Sequence, residues 1–287
     1  MIRAQEEWGP LREVLCSEGG AVYVLGMTDR GKSTFCRYLI EELSGRSGAG
    51  YLDLDCGQST IGPPTTLGLG IFRETAACPA AVHLRFAGST SPRGHFLQVL
   101  AGAACLRRKA EHEGLHATVI DSPGYVQGAR AAEFQIQLID CLRPDHLVAF
   151  QRSCELESIL PVFRHRTALR IHRFPVSPAV RVRSRIERQR SREERFRDYF
   201  AGALAHEIPF RGLGVHGDLP EPRARGAWRN RLVALCDAEQ MVLALGIIDD
   251  VDLVRHVFSL HAPPLDPSRV ACVHVGSLQL DLSGKER

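Results

Sequence analysis

Lysine is nearly missing from this chain. Of its 36 basic residues only Lys32, Lys109 and Lys285 are lysine, so positive charge is carried by arginine, whose planar fork suits bidentate contact with phosphate. Long apolar runs are also missing: none approaches the ~20 residues that cross a bilayer, and no signal-peptide pattern opens the chain. Neither membrane insertion nor secretion is expected. The nine cysteines show no CxxC spacing and the twelve histidines no HExxH motif. This argues against a disulfide scaffold and against a zinc site, and points to reduced thiols in a cytoplasm. A hydrophobic content of 44% and a charged content of 24% are those of an ordinary globular protein, and 287 residues suit one sizeable domain plus a small one.

The net charge of +3 hides a concentrated feature. Between Arg181 and Arg197 eight arginines face three glutamates, a local balance of +5, which leaves −2 for the remainder. Drawn on a helix, the arginines cover most of the circumference and leave a narrow apolar stripe of Ile186, Phe196 and Phe200. A solvated charged helix is one reading. A lid that closes on a transferring phosphoryl group is the other, with arginines neutralising its charge.

Residues 26–33 spell the phosphate-cradling loop GxxxxGK[ST]: Gly26, Met27, Thr28, Asp29, Arg30, Gly31, Lys32 and Ser33, with Thr34 following. The apolar run 21–25 reads as a strand before it, and residues from 33 onward as a helix after it. Loop N–H groups and the helix N-terminus favour bound phosphates. Lys32 suits the β- and γ-phosphates, and the Ser33 hydroxyl suits Mg²⁺. Nucleoside triphosphate binding is the expectation.

Strands alternating with helices predict a mostly parallel sheet covered on both faces. A short amphipathic helix is expected over 5–17, a loop over 44–50, a strand over 51–55 and further strands over 67–72, 82–87, 118–121, 146–150 and 169–174. Helices are expected for about 18 residues from His95, over 131–142 and over 155–163. Beyond residue 206 the pattern changes to short strands, at 232–235, 241–247 and 270–282. The fold class is therefore α/β, a P-loop NTPase domain over 1–205 with its arginine lid at about 181–200, plus a small β-rich domain over 206–287.

Two acidic strand ends carry the remaining chemistry. Asp53 and Asp55 lie two apart and project together from the carboxyl end of the second strand, where open α/β sheets bind ligands. A carboxylate there positions Mg²⁺-bound water or takes a proton from an attacking hydroxyl, or else caps the next turn. Asp121, ending the strand before Ser122-Pro123-Gly124-Tyr125, would hold Mg²⁺ through water. The same letters satisfy the DxxG element of GTPases, but the Asn-Lys-x-Asp guanine reader is absent. Tyr125 is placed either to stack on a base or to pack in its turn.

Four motifs in order resemble the polynucleotide 5'-hydroxyl kinases, a family that includes the kinase subunit of the eukaryotic mRNA 3'-end cleavage complex. They are GMTDRGKST (26–34), DLDCGQS (53–59), GSTSPRGH (88–95) and RSRIERQRSREERFRDYF (183–200), with IDSPGYVQG (120–128) similar to the family's acidic-strand element. The resemblance runs over roughly residues 20–205. It implies ATP- and Mg²⁺-dependent phosphorylation of a 5'-hydroxyl end on RNA, DNA or both. It also implies that Lys32 and Ser33 handle ATP and metal, that Asp55 activates the hydroxyl, and that Thr90, Ser91 and Arg93 clasp the substrate's end. Asp53, Gln58 and Tyr125 would join them as substrate contacts, and Asp55, Asp121 and Ser33 would serve the metal. Arg183 and Arg188 resemble the lid arginines, with Arg192 the nearest competitor. Trp8 is available to stack on adenine. A kinase of a small nucleoside or metabolite and a non-catalytic nucleotide-binding scaffold are the alternatives.

Overall fold

The computed structural model describes residues 5–45, 48–73, 78–221 and 225–287; Arg46 and Ser47, part of the loop expected over 44–50, lie outside them. The chain forms two compact units, and it enters the second one twice before committing to it. The first gathers Met1–Asp55, Leu67–His83 and Val99–Arg183. The second gathers Cys56–Thr66, Leu84–Gln98 and Ser184–Arg287.

Helix α1 (Gly9–Glu18), with a proline in its first turn, leads into β1 (Gly20–Gly26) and then α2 (Lys32–Leu43). Strands β2 (Ala49–Asp53), β3 (Thr66–Phe72) and β4 (Ala81–Phe86) follow, then helix α3 (Phe96–His112). The pattern continues with β5 (Ala117–Asp121), α4 (Ala129–Leu142), β6 (His146–Gln151) and β7 (Arg170–Pro175). The seven strands form one sheet in the order β4-β3-β2-β5-β1-β6-β7. Strands β2, β5, β1, β6 and β7 run parallel, and β3 runs antiparallel to β2. Every residue of β2 and β5 is buried, as expected of central parallel strands with continuous apolar sequence.

Trp8 belongs to the core of this unit and not to a nucleotide site. It is 4% exposed, and its ring meets Phe35 at 5.0 Å and Phe150 at 6.4 Å edge-on. The helix expected over 155–163 is also absent. Turns lead instead into a single 3-10 turn, Leu160–Phe163. Pro161 supplies no N–H and keeps the preceding residue from extending a helix.

In the second unit, helix α5 (Arg185–Phe200) opens with a reciprocal cap. The Ser184 hydroxyl accepts the Glu187 amide at 3.1 Å, and the Glu187 carboxylate accepts the Ser184 amide at 2.6 Å. The sheet beyond it contains β8 (Leu204–Pro209), β9 (Gly214–Gly217), β10 (Arg231–Cys236), β11 (Val242–Asp252), β12 (Val257–Ala262) and β13 (Cys272–Gln279). Its order is β8-β12-β11-β10-β13-β9, antiparallel except for the β13–β9 pair.

Alternation along β10 divides the apolar side chains between two faces. Val233 and Leu235 join Phe258, Val273 and Val275 on one side. Leu232, Ala234 and Cys236 join Phe86, Leu280 and the α5 residues Phe196 and Phe200 on the other. Phe196 and Phe200 stand four apart, so they share one helix face. Ile186, expected on the same stripe, is 63% exposed. That early turn carries the cap, whereas the later turns are anchored by packing.

Candidate active site

The phosphate loop leaves β1 at Gly26, where a Cβ would stand 2.7 Å from the Phe150 carbonyl oxygen. Opposite, Gly124 presses against the loop's far side, with its missing Cβ 2.3 Å from Thr28 Oγ1 and 2.7 Å from Thr28 N. The backbone of the acidic-strand turn therefore touches the loop directly. Gln135, fully buried in α4, holds that turn by donating to the Pro123 carbonyl at 2.9 Å and the Tyr125 carbonyl at 3.0 Å. Tyr23 of β1 donates to the same amide's oxygen at 2.6 Å. This network joins strand, loop and turn, and no short motif announces it.

Lys32 is 6% exposed and donates to the Met27 carbonyl at 3.2 Å, so its ammonium lies back across the loop. Arg30 donates to Glu155 at 3.1 Å. Thr34 is exposed and Ser33 half-buried. Asp29 has φ of +55°, a left-handed conformation that Asp tolerates better than most residues. Its carboxylate accepts the Arg183 amide at 2.9 Å and Arg183 Nε at 3.2 Å.

Two carboxylates meet this loop from the sheet. Asp121 ends β5 and is 1% exposed, and its Oδ2 accepts the Tyr51 hydroxyl at 3.1 Å. Burial pushes its carboxyl up; Lys32 and the Ser33 hydroxyl pull it down, and the neighbouring charge of Asp55 adds to the upward push. The balance is upward. Oδ1 of Asp121 is buried without a hydrogen-bond partner. An orphaned carboxylate oxygen beside a serine hydroxyl and a second carboxylate is a hard-oxygen donor set, and that set fits Mg²⁺.

Asp55 follows β2 and is half-buried. Asp53 takes the turn-capping alternative. It is 1% exposed, and its Oδ1 accepts the Asp55 amide at 3.0 Å, so it shapes the turn that presents Asp55 and does not project toward substrate.

Glu155, which the motifs did not mark, fixes the loop's arginine. Burial works against its charge, but the Arg152 and Ser153 amides and the Ser153 hydroxyl outweigh it and hold the carboxyl at about 2. A carboxylate held below its unfolded value of about 4.3 stabilises the fold above that value. The contribution drains away as pH falls toward about 2. Glu155→Gln is therefore expected to flatten the acid loss of stability in that window, read as urea midpoints across pH. Parallel loss in both proteins would clear Glu155 of this role.

The second unit holds the other expected contacts. Thr90 and Ser91 are half-buried and Arg93 exposed on the loop after β4. Ser91 Oγ accepts the Arg93 amide at 3.3 Å, and the loop's base is tied down by Ser277 N donating to the Gly88 carbonyl at 2.9 Å. Gln58 donates to the Arg188 carbonyl at 3.4 Å, and Arg195 donates to the Ser59 and Gly62 carbonyls, which ties α5 to the 56–66 segment. Arg192, expected as a lid cation, is instead locked to Glu286 through two bonds of 2.5 and 2.9 Å, both side chains under a fifth exposed. Such a pair is structural. Tyr125, in the first unit, is half-buried with its ring 6.4 Å from Phe134.

Residues 26–202 match the family described as mRNA cleavage and polyadenylation factor CLP1 P-loop. Among curated proteins, the chain is 29% identical over 203 residues to a polyribonucleotide 5'-hydroxyl-kinase of Methanocaldococcus jannaschii, covering 68% of this chain and 54% of that one. It is 29% identical over 221 residues to one from Pyrococcus furiosus, covering 75% and 60%. It is 31% identical over 212 residues to polyribonucleotide 5'-hydroxyl-kinase Clp1 of Homo sapiens, covering 64% and 46%. The chain thus spans about half to three-fifths of the length of these relatives. Among solved structures, it shares the fold of Clp1p in a wild-type Clp1p–Pcf11p complex. The TM-score is 0.72 at 13% identity, covering 94% of this chain and 77% of that one. No helix among the described residues is long and apolar enough to cross a membrane.

Proposed function

We propose that this chain, which belongs to the mRNA cleavage and polyadenylation factor CLP1 P-loop family, transfers the γ-phosphate of ATP to the 5'-hydroxyl end of a polynucleotide. One observation carries the reading. Lys32, Ser33, Asp121 and Asp55 converge within a single compact unit, as phosphoryl transfer requires and as a nucleotide-binding scaffold does not. The names of the relatives, polyribonucleotide 5'-hydroxyl-kinases, favour RNA as the acceptor.

In this reading the loop amides and Lys32 grip the β- and γ-phosphates. Mg²⁺, held by the Ser33 hydroxyl with Asp121 and Asp55, would neutralise phosphate charge. Asp55 takes the proton of the attacking 5'-hydroxyl as its oxygen bonds to the γ-phosphorus, and ADP departs. Arg183 and Arg188 are assigned to the charge that spreads over the equatorial oxygens, an assignment resting on the motif 183–200. Thr90, Ser91, Arg93, Gln58 and Tyr125 are assigned, on the same footing, to the acceptor strand.

The test is the purified chain with γ-labelled ATP and matched 5'-hydroxyl RNA and DNA oligonucleotides, with and without Mg²⁺, against free nucleosides. Label is expected on an oligonucleotide and only with the metal. Label on neither oligonucleotide, or on nucleosides equally well, defeats the proposal and in the second case leaves a small-molecule kinase.

A further inference from the structure

A carboxylate inside a phosphate loop repels the anion that the loop exists to hold, so Asp29 needs a physical reason. The structure gives one. Its side chain is 5% exposed, and each of its oxygens accepts from Arg183. Oδ2 accepts the Arg183 backbone amide at 2.9 Å and Oδ1 accepts Arg183 Nε at 3.2 Å. A backbone bond and a guanidinium bond to the same carboxylate fix the arginine at both ends of its side chain. A second contact supports the arrangement: Val180 Cγ2 stands 3.4 Å from where a Gly31 Cβ would lie. The segment 180–183 therefore rests on the loop at two points, immediately before the Ser184 cap that starts α5.

We propose that Asp29 is a positioning residue for Arg183: it holds that guanidinium against the phosphate loop so that the arginine meets the transferring phosphoryl group without reorganising. The inference rests on the kinase reading above. Binding of both Arg183 donors to a fixed carboxylate removes rotamer freedom before substrate arrives, which is the electrostatic preorganisation that lowers a barrier. Asp29 thereby acts on the chemical step and not on nucleotide affinity. A carboxylate is required because two donors need two acceptors. Asn offers one acceptor and turns a donor toward the other N–H, while tolerating the same left-handed backbone.

Two measurements separate this proposal from the reading beneath it. In steady-state kinetics, Asp29→Asn is expected to lower kcat by about 10-fold or more with the KM for ATP changed less than about twofold. Arg183→Ala is expected to lower kcat further, and the double variant to be no slower than Arg183→Ala alone. A multiplicative double variant, or a raised KM at unchanged kcat, overturns the proposal and makes Asp29 a nucleotide contact. The second measurement needs no activity: amide hydrogen exchange at Arg183 in the nucleotide-free full chain. Asp29→Ala is expected to speed exchange there about 10-fold or more while leaving β1 and β5 unchanged. Unchanged exchange at Arg183 means the clamp does not exist. A wild-type chain that phosphorylates nothing, together with accelerated exchange in Asp29→Ala, sinks the kinase reading and leaves the clamp standing.

Discussion

Asp55→Asn is expected to bind ATP as the wild-type chain does and to phosphorylate an oligonucleotide 5'-hydroxyl about 10²–10⁴-fold more slowly. The amide is nearly isosteric, so the turn shaped by the Asp53 carboxylate and the Asp55 amide survives. What disappears is the acceptor for the hydroxyl proton, together with one negative charge beside Asp121. Asp55 is also assigned to the metal in this reading, so Mg²⁺ is held saturating when the rates are compared. The measurement is single-turnover transfer with ATP and oligonucleotide both saturating. A rate within about tenfold of wild type removes Asp55 from the proton-accepting role.

Gly124→Ala carries the second large effect, and its cause is steric. The added methyl would sit 2.3 Å from Thr28 Oγ1, 2.7 Å from Thr28 N and 2.9 Å from Thr28 Cα. Two of those atoms are backbone, so no side-chain rotation relieves the clash, and the phosphate loop or the 122–125 turn must move. Gln135 grips the turn through two carbonyls, which leaves the loop to yield. Nucleotide affinity is expected to fall about 100-fold or more, with stability down by roughly 1–3 kcal/mol, the usual range for overpacking. Gly9→Ala, where nothing stands within 4 Å, is the control. Titration with a fluorescent ATP analogue reads the first quantity and denaturant midpoints the second. Wild-type affinity in Gly124→Ala would mean the loop accommodates this methyl.

The parts of the site that follow a local rule were legible in the sequence. The phosphate loop needs its glycines and lysine at fixed spacing, the acidic residue Asp121 ends an apolar run, and the arginine helix announces itself by charge. The same holds for the alternating strands and helices of the first sheet. The parts that escaped are set by contacts between distant residues. Nothing near Arg192 says that Glu286, 94 residues on, will claim it. Glu155 and Gln135 support the phosphate loop from 125 and 112 residues away in their contacts with Arg30 and Tyr23. Strand β9, four residues reading Gly-Val-His-Gly, offers no alternation to detect and exists because β13 pairs with it. The helix expected over 155–163 failed because Pro161 outweighs an apolar spacing.

The second unit's discontinuous make-up has a consequence for synthesis. A ribosome that has released Arg183 has delivered every residue of the first unit, including the loop, both acidic strand ends and Asp29. Helix α5 emerges next and has Phe86 and the Ser59 and Gly62 carbonyls already made, but Phe196 and Phe200 draw their other partners from β10, β11 and Leu280, and Arg192 waits for Glu286. A stalled or prematurely terminated nascent chain would thus display a finished phosphate grip and a greasy, cationic helix still short of most of its packing partners. Such an intermediate is a natural client for chaperones and a poor candidate for recombinant shortening from the carboxyl end.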